Sequence, residues 1–243
     1  MSINRDRMTP ILQSLCAPPP FELWLIDLDR DDDQGASALS LLDERERARA
    51  ARFAFERDRR RYVAAHRGLR ELLSARTGIS ADRLRFAEGE FGKPHLVGTS
   101  PWAFSLSHSE HYALVALACD GEIGVDIEML RDLPDLDDLA RRCFTVDERR
   151  ELDAAPPAQR GRLFLRGWTR KEACLKALGT GLQIEPAAFS VGLQPGGPRE
   201  VCIDSPDGRL GLLVQSIEPE AAFVSAVARA TGVPPKRNAG SAP

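Results

Sequence analysis

Trp168 to Leu182 reads WTRKEACLKALGTGL, and it puts unlike chemistry on one predicted helix. Glu172 and Lys176 stand four residues apart, a spacing that stacks two side chains on one helical face. Trp168, Leu175 and Leu178 fall on an adjoining stripe, so such a helix buries one side and offers a carboxylate and an ammonium beside it. Gly179 and Gly181 then end it, as glycines past a helix C-terminus do. Taken alone, the pair fits an ordinary surface helix equally well, where it adds only about 0.2–0.5 kcal/mol.

A second acidic pair upstream, Asp126 and Glu128, shifts that balance. Asp120-Gly121 between two apolar runs predicts a hairpin turn. A strand from Ile123 to Glu128 would send Asp126 and Glu128 to one face and Val125 and Ile127 into the core. Two carboxylates side by side repel, and a hard divalent cation is their natural partner, since Mg²⁺ is held by a few carboxylates together with water and phosphate oxygens. The plainer alternative is a solvated strand end with two charges.

The 243 residues, 43% of them hydrophobic, permit one large domain or two small ones around a real core. A net charge of -3 argues against a general nucleic-acid binder. The 5 cysteines, Cys16, Cys119, Cys143, Cys174 and Cys202, lack CxxC spacing and suggest neither zinc nor a disulfide framework. They read as mostly buried small hydrophobes in a reducing compartment. The N-terminal MSINRDRMTP lacks an apolar signal core and no stretch reaches membrane-spanning length, so a cytoplasmic protein with no membrane role is expected.

After Pro18-Pro19-Pro20, Phe21 to Leu28 reads as a buried strand. Asp43 to Thr77 is a long arginine-rich helical region that breaks near Phe55 to Arg57, with Tyr62, Ala65, Leu69, Leu72 and Leu73 at helical period. Its arginines read as a solvated face, although arginine also suits bidentate contact with phosphate. GKPHL (92–96) and WAFSLSHSE (102–110) fit short extended pieces, the second placing Ser105 and Ser107 opposite Phe104 and Leu106 and leading into His108. No nucleophile elbow is present. Thr145-Val146-Asp147-Glu148 is a capping-box pattern. Phe189 to Leu193, Val201 to Asp204, Leu210 to Ile217 and Ala221 to Ala228 read as strands, and Val233 to Pro243 as a disordered tail. The pattern is α+β: helix plus several strands in each half, with tight turns that favour antiparallel pairing.

Four ordered blocks, GKPHL, FSLSHS, GVDIE and WTRKEACLKALGTGL, together resemble the Sfp-type 4'-phosphopantetheinyl transferases. The resemblance implies two similar halves, each a mainly antiparallel sheet packed with a long helix: residues 1–115 contributing to coenzyme A binding, and 116–232 carrying the metal site and catalytic helix. It implies Mg²⁺-dependent transfer of the phosphopantetheine arm of coenzyme A to a serine of an apo acyl or peptidyl carrier protein, with 3',5'-ADP released. Carried over by motif, Asp126, Glu128 and Glu172 are the metal ligands, Glu172 is also the general base, and Lys176 steadies the pyrophosphate. Lys93, Ser107 and His108 would contact coenzyme A phosphates, as would Arg45, Arg49 and Arg67 of the early helix, where the family pattern matches less sharply. A chain of two halves could complete its own cleft as a monomer. The rival expectations are a coenzyme A-binding sensor without turnover, and a phosphohydrolase acting on a small pyrophosphate.

Overall fold

The computed structural model describes residues 8–13, 21–30, 36–119, 121–180, 183–205, 208–218 and 220–231. Cys16, Pro18 to Pro20, Asp120, Gly181, Leu182 and the tail from Val233 lie outside these described residues.

The chain begins with β1 (Met8–Gln13) and β2 (Phe21–Asp27), then α1 (Ala36–Ser40), α2 (Glu44–Ala50) and α3 (Glu56–Thr77). A small pair, β3 (Phe86–Glu88) and β4 (Pro94–Leu96), precedes the hairpin of β5 (Trp102–Ser109) and β6 (Tyr112–Cys119). The second half runs β7 (Ile123–Met129), α4 (Leu136–Cys143), α5 (Val146–Asp153), α6 (Pro157–Leu178), β8 (Arg199–Ser205), β9 (Gly208–Ser216) and β10 (Phe223–Ala230). Two four-stranded antiparallel sheets result, ordered β1-β2-β6-β5 and β7-β10-β9-β8.

Within these sheets β2-β6-β5 and β7-β10-β9 share one connectivity: a strand, a short helix, a helix of 22 residues, and a hairpin that returns to pair with the first strand. The duplication reaches individual side chains. Asp43 caps α2 and Thr145 caps α5, each in a capping box whose glutamate, Glu46 or Glu148, also meets a fully buried cation. Those cations, Arg70 and Lys171, occupy the same position in α3 and in α6.

Strand alternation explains the layering. Trp24, Ile26 and Leu28, with Ala113, Val115 and Leu117, face α3 through its Ala65, Leu69, Leu72 and Leu73. The opposite faces of the same strands, Leu23, Leu25, Leu114 and Ala116, pack against Ile123, Val125 and Ile127 of β7. Fully burying each such Leu or Ile is worth about 1.5–3 kcal/mol, so the face-to-face packing of the two sheets joins the halves. With Val125 and Ile127 committed to that layer, Gly124 and Asp126 turn toward α6, as expected from alternation.

Gly124 lets α6 lie directly on β7. A Cβ there would stand 2.1 Å from the Ala173 carbonyl oxygen and 2.3 Å from the Ala177 nitrogen, both backbone atoms that cannot swing aside. Gly124→Ala is therefore expected to lift α6 from the strand, lowering stability by about 1–3 kcal/mol as overpacking does and drawing Lys176 away from Asp126. Thermal melting checks the loss of stability.

Several expectations need correcting. The Asp-Gly turn does not join a hairpin: β6 ends one sheet's chain path and β7 starts the other, pairing with β10. Turn chemistry reports a change of direction, not which edge the next strand takes. The chain passes from one sheet to the other between Cys119 and Ile123. Phe189 to Leu193 is not a strand, because its backbone groups go to buried side chains: Val191 and Gly192 donate to Glu148, and the Gly192 carbonyl accepts from Arg170. Among the described cysteines, all free, only Cys174 is buried and Cys202 is exposed. Arg61, assigned to the solvated face, bonds Asp29 and Glu110 and has a side chain only 13% exposed.

Candidate active site

α6 can offer Glu172 and Lys176 to a cavity because its buried side is locked elsewhere. Lys171, fully buried, bonds Glu148 at 2.8 Å, the Pro186 carbonyl at 2.8 Å and the Phe189 carbonyl. Arg170, also fully buried, donates to Ser216 Oγ, Gly192 O and Gln194 O. Burial holds the Lys171 pKa below its ordinary value, against the pull of Glu148. These two cations of the WTRKE run thus anchor the helix and fix its rotation, which leaves Glu172 and Lys176 on the side facing the other half.

That side lines a cavity of about 1060 Å³ built from both halves: α2 and α3, the β3–β4 turn, β5 and α6. Of the residues expected at the site, Arg45, Arg49, Lys93, Ser107, His108, Glu172 and Lys176 line it. Asp126 sits just behind, 5% exposed, its Oδ1 accepting from Lys176 Nζ at 2.6 Å and from Ser107 Oγ at 2.8 Å. Lys176 Nζ also donates to Ser107 Oγ at 3.1 Å. Glu128 accepts from Arg131 at 2.6 Å and from Ser109 Oγ at 3.3 Å, both through Oε2.

The acidic groups are electrostatically crowded. Burial pushes the Glu172 carboxyl up, and the negative charges of Asp126 and Glu128 push it further, against the opposing pull of Lys176. Burial also pushes Asp126 up, despite Lys176 and Ser107. Asp126 Oδ2 is buried with no hydrogen-bond partner among the described residues. A buried oxygen left so costs about 1–3 kcal/mol and invites a cation. Among the described residues, however, no three His, Cys, Asp or Glu side chains form a ready cage around one point. Lys176 and Arg131 occupy Asp126 and Glu128 instead.

Lys93 lines the cavity and is bonded at its rim. Its ammonium bonds Glu122 at 2.7 Å, the Ile123 carbonyl at 3.1 Å and the Ala177 carbonyl at 3.0 Å. It ties the β3–β4 loop to the start of β7 and the end of α6, and only its stem faces the cavity. His108 is exposed at the cavity wall. Arg45 bonds Glu88, and Arg49 stacks over Tyr62 with its guanidinium carbon 5.8 Å from the ring centre. Arg67 pairs with Glu71 on its own helix and does not line the cavity.

Sequence reasoning missed Arg52 and His66, which also line it. Arg52 continues the Arg45, Arg49 step of one helical face, a signal that could have found it. His66 shares the Tyr62 face one turn on; its ring stacks 4.1 Å from Tyr62, and Nδ1 pairs with buried Glu46 at 2.8 Å.

Comparison with known proteins agrees with this architecture. Residues 30–120 match the family pattern described as 4'-phosphopantetheinyl transferase, N-terminal, and residues 122–227 that of the 4'-phosphopantetheinyl transferase superfamily. The chain is 39% identical over 163 residues to 4'-phosphopantetheinyl transferase HetI of Nostoc sp., covering 66% of this chain and 69% of that protein. It is 29% identical over 201 residues to a 4'-phosphopantetheinyl transferase of Bacillus subtilis, 82% of this chain and 86% of that one. To 4'-phosphopantetheinyl transferase Sfp of Bacillus subtilis strain 168 it is 26% identical over 211 residues, 86% and 92% of the two chains. The two family patterns meet where the chain passes from β6 to β7, each falling within one half of the duplicated fold, and with the HetI likeness they establish that the chain belongs to the 4'-phosphopantetheinyl transferase superfamily.

Proposed function

We propose that Glu172, Asp126, Glu128 and Lys176 form the reacting end of the cavity, where this transferase moves the phosphopantetheine arm of coenzyme A onto a carrier-protein serine. The transfer itself is the family's reaction. The observation that carries the residue reading is that Glu172, Lys176 and Ser107 line one cavity with Arg45, Arg49 and Arg52, while Asp126 is bonded to Lys176 and Ser107.

In this reading the serine hydroxyl attacks the phosphorus that bears the pantetheine arm, the bond to the bridging oxygen breaks, and 3',5'-ADP leaves with that oxygen. Glu172 takes the hydroxyl proton. A base works best when its pKa approaches the working pH, and the upward push on Glu172 moves it that way. Lys176 turns from Asp126 to the pyrophosphate oxygens, and the arginines of α2 and its following turn hold the anionic nucleotide.

The residues suit Mg²⁺ on three counts: the orphaned Asp126 Oδ2, the mutual repulsion of Asp126, Glu128 and Glu172, and an all-oxygen donor set. Mg²⁺ needs no complete protein cage, being held by a few carboxylates while phosphate and water supply the rest. Asp126, Glu128 and Glu172 would hold it, and when bound it neutralises charge on the pyrophosphate. Among the described residues no helix is long and apolar enough to cross a membrane. Work as a monomer in the cytoplasm fits a chain whose own halves build the cavity and whose described cysteines are free.

Incubation with coenzyme A, Mg²⁺ and apo carrier proteins tests the proposal by mass spectrometry. A carrier gaining one phosphopantetheine group is the expected result. Metal-dependent coenzyme A binding with no shift on any of a varied carrier panel would make the chain a sensor.

A further inference from the structure

Among the described residues β7 pairs by backbone with β10 alone, so its other edge needs partners from elsewhere. β5 supplies them with side chains. Its alternate residues Ser105, Ser107 and Ser109 share one face and line up along β7. Ser105 Oγ accepts from the Val125 backbone N–H at 3.1 Å, and Ser109 Oγ accepts from the Met129 N–H at 3.0 Å. Between them Ser107 Oγ donates to Asp126.

Ser109 differs from Ser105 in one respect. A hydroxyl has one proton and two lone pairs. With a lone pair taken by Met129, the Ser109 proton is left for Glu128 Oε2, at 3.3 Å. Both ends of the hydroxyl are then used, so its rotation is fixed. Arg131 also reaches Glu128 Oε2, but from a side chain 52% exposed, and exposed ion pairs orient their partners weakly.

We propose that Ser109 is a positioning residue for Glu128, holding its carboxylate toward the acidic cluster, while Ser105 serves the backbone alone. This rests on the reading of Asp126, Glu128 and Glu172 as metal ligands. Ser109 touches neither substrate nor metal; it acts through Glu128. Groups that orient metal ligands in this way change affinity by about 10–100-fold when removed.

The test is titration of the whole protein with Mn²⁺ alone, by calorimetry, beside thermal melting, for the parent, Ser105→Ala, Ser109→Ala and Ser109→Thr. Both alanine variants are expected to melt lower to a similar extent, because each strands one β7 N–H. Only Ser109→Ala should bind Mn²⁺ about 10-fold more weakly, and Ser109→Thr, which keeps the hydroxyl, should restore it. If Ser109→Ala fails to fold, Ser109→Cys, of similar size with a weak donor, must show the same loss. Parental affinity in the folded Ser109 variants, or an equal loss in Ser105→Ala, overturns the assignment while leaving the metal reading intact. A parent protein that modifies carriers yet binds no Mn²⁺ overturns both.

Discussion

Glu172→Gln is expected to lower kcat about 10²–10⁴-fold, the usual worth of a positioned proton acceptor, and yet to melt at a higher temperature than the parent in metal-free buffer. The two effects share a cause. Burial and the neighbouring charges of Asp126 and Glu128 raise the Glu172 pKa in the folded chain above its unfolded value. The folded state therefore holds that proton more tightly, and the carboxyl's contribution is favourable below the unfolded pKa and is lost as pH rises through the folded one. Above the folded pKa the ionised carboxylate opposes folding; glutamine keeps the shape and removes the charge. Carrier modification followed by mass spectrometry, with calorimetric melting at neutral pH, reads both. A variant as active as the parent would remove Glu172 from the reaction. One that melts lower would mean the carboxylate is well satisfied where it stands.

Lys171→Met, one residue away, should do the opposite and lower stability by about 3–5 kcal/mol, as breaking a buried ion pair from one side does. Lys171 and Glu148 are both fully buried, and loss of the ammonium leaves the Glu148 charge with neutral donors alone, the backbone N–H groups of Thr145, Val191 and Gly192 and the Ser190 hydroxyl. The Pro186 and Phe189 carbonyls lose their donor as well. Removing Glu148 too should recover only part of the loss, since Glu148 also caps α5 and accepts from Val191 and Gly192. Denaturant unfolding of the single and double variants measures this. A single variant within about 1 kcal/mol of the parent, the range of exposed pairs, would show that the pair anchors nothing.

Lys171 marks a limit of what was legible in the chain. It lies beside Glu172 in the WTRKE run, and the spacing of Glu172 and Lys176 is enough to put those two on one face. Whether a lysine faces a cavity or a buried glutamate depends on partners more than 20 residues distant, here Glu148, and helical period carries no such information. The bonds of Lys93 were hidden for the same reason, since they reach Glu122, Ile123 and Ala177, all distant in sequence. The Thr145 capping box, a purely local device, was legible in full. So was the strand alternation that turns Asp126 away from Val125 and Ile127. Its counterpart in the first half, Asp43 with Glu46, sat in plain sight, but the duplication becomes visible only when Arg70 and Lys171 are seen in equivalent places.

The central claim is that three carboxylates from β7 and α6 gather one divalent cation at the cavity. Calorimetric titration of the parent and of Asp126→Asn with Mg²⁺ in the presence of coenzyme A tests it most directly. The account predicts one Mg²⁺ per parent chain, bound more tightly with coenzyme A than without, and an Asp126→Asn chain that folds but has lost that binding. An Asp126→Asn chain that takes up Mg²⁺ as the parent does would contradict it.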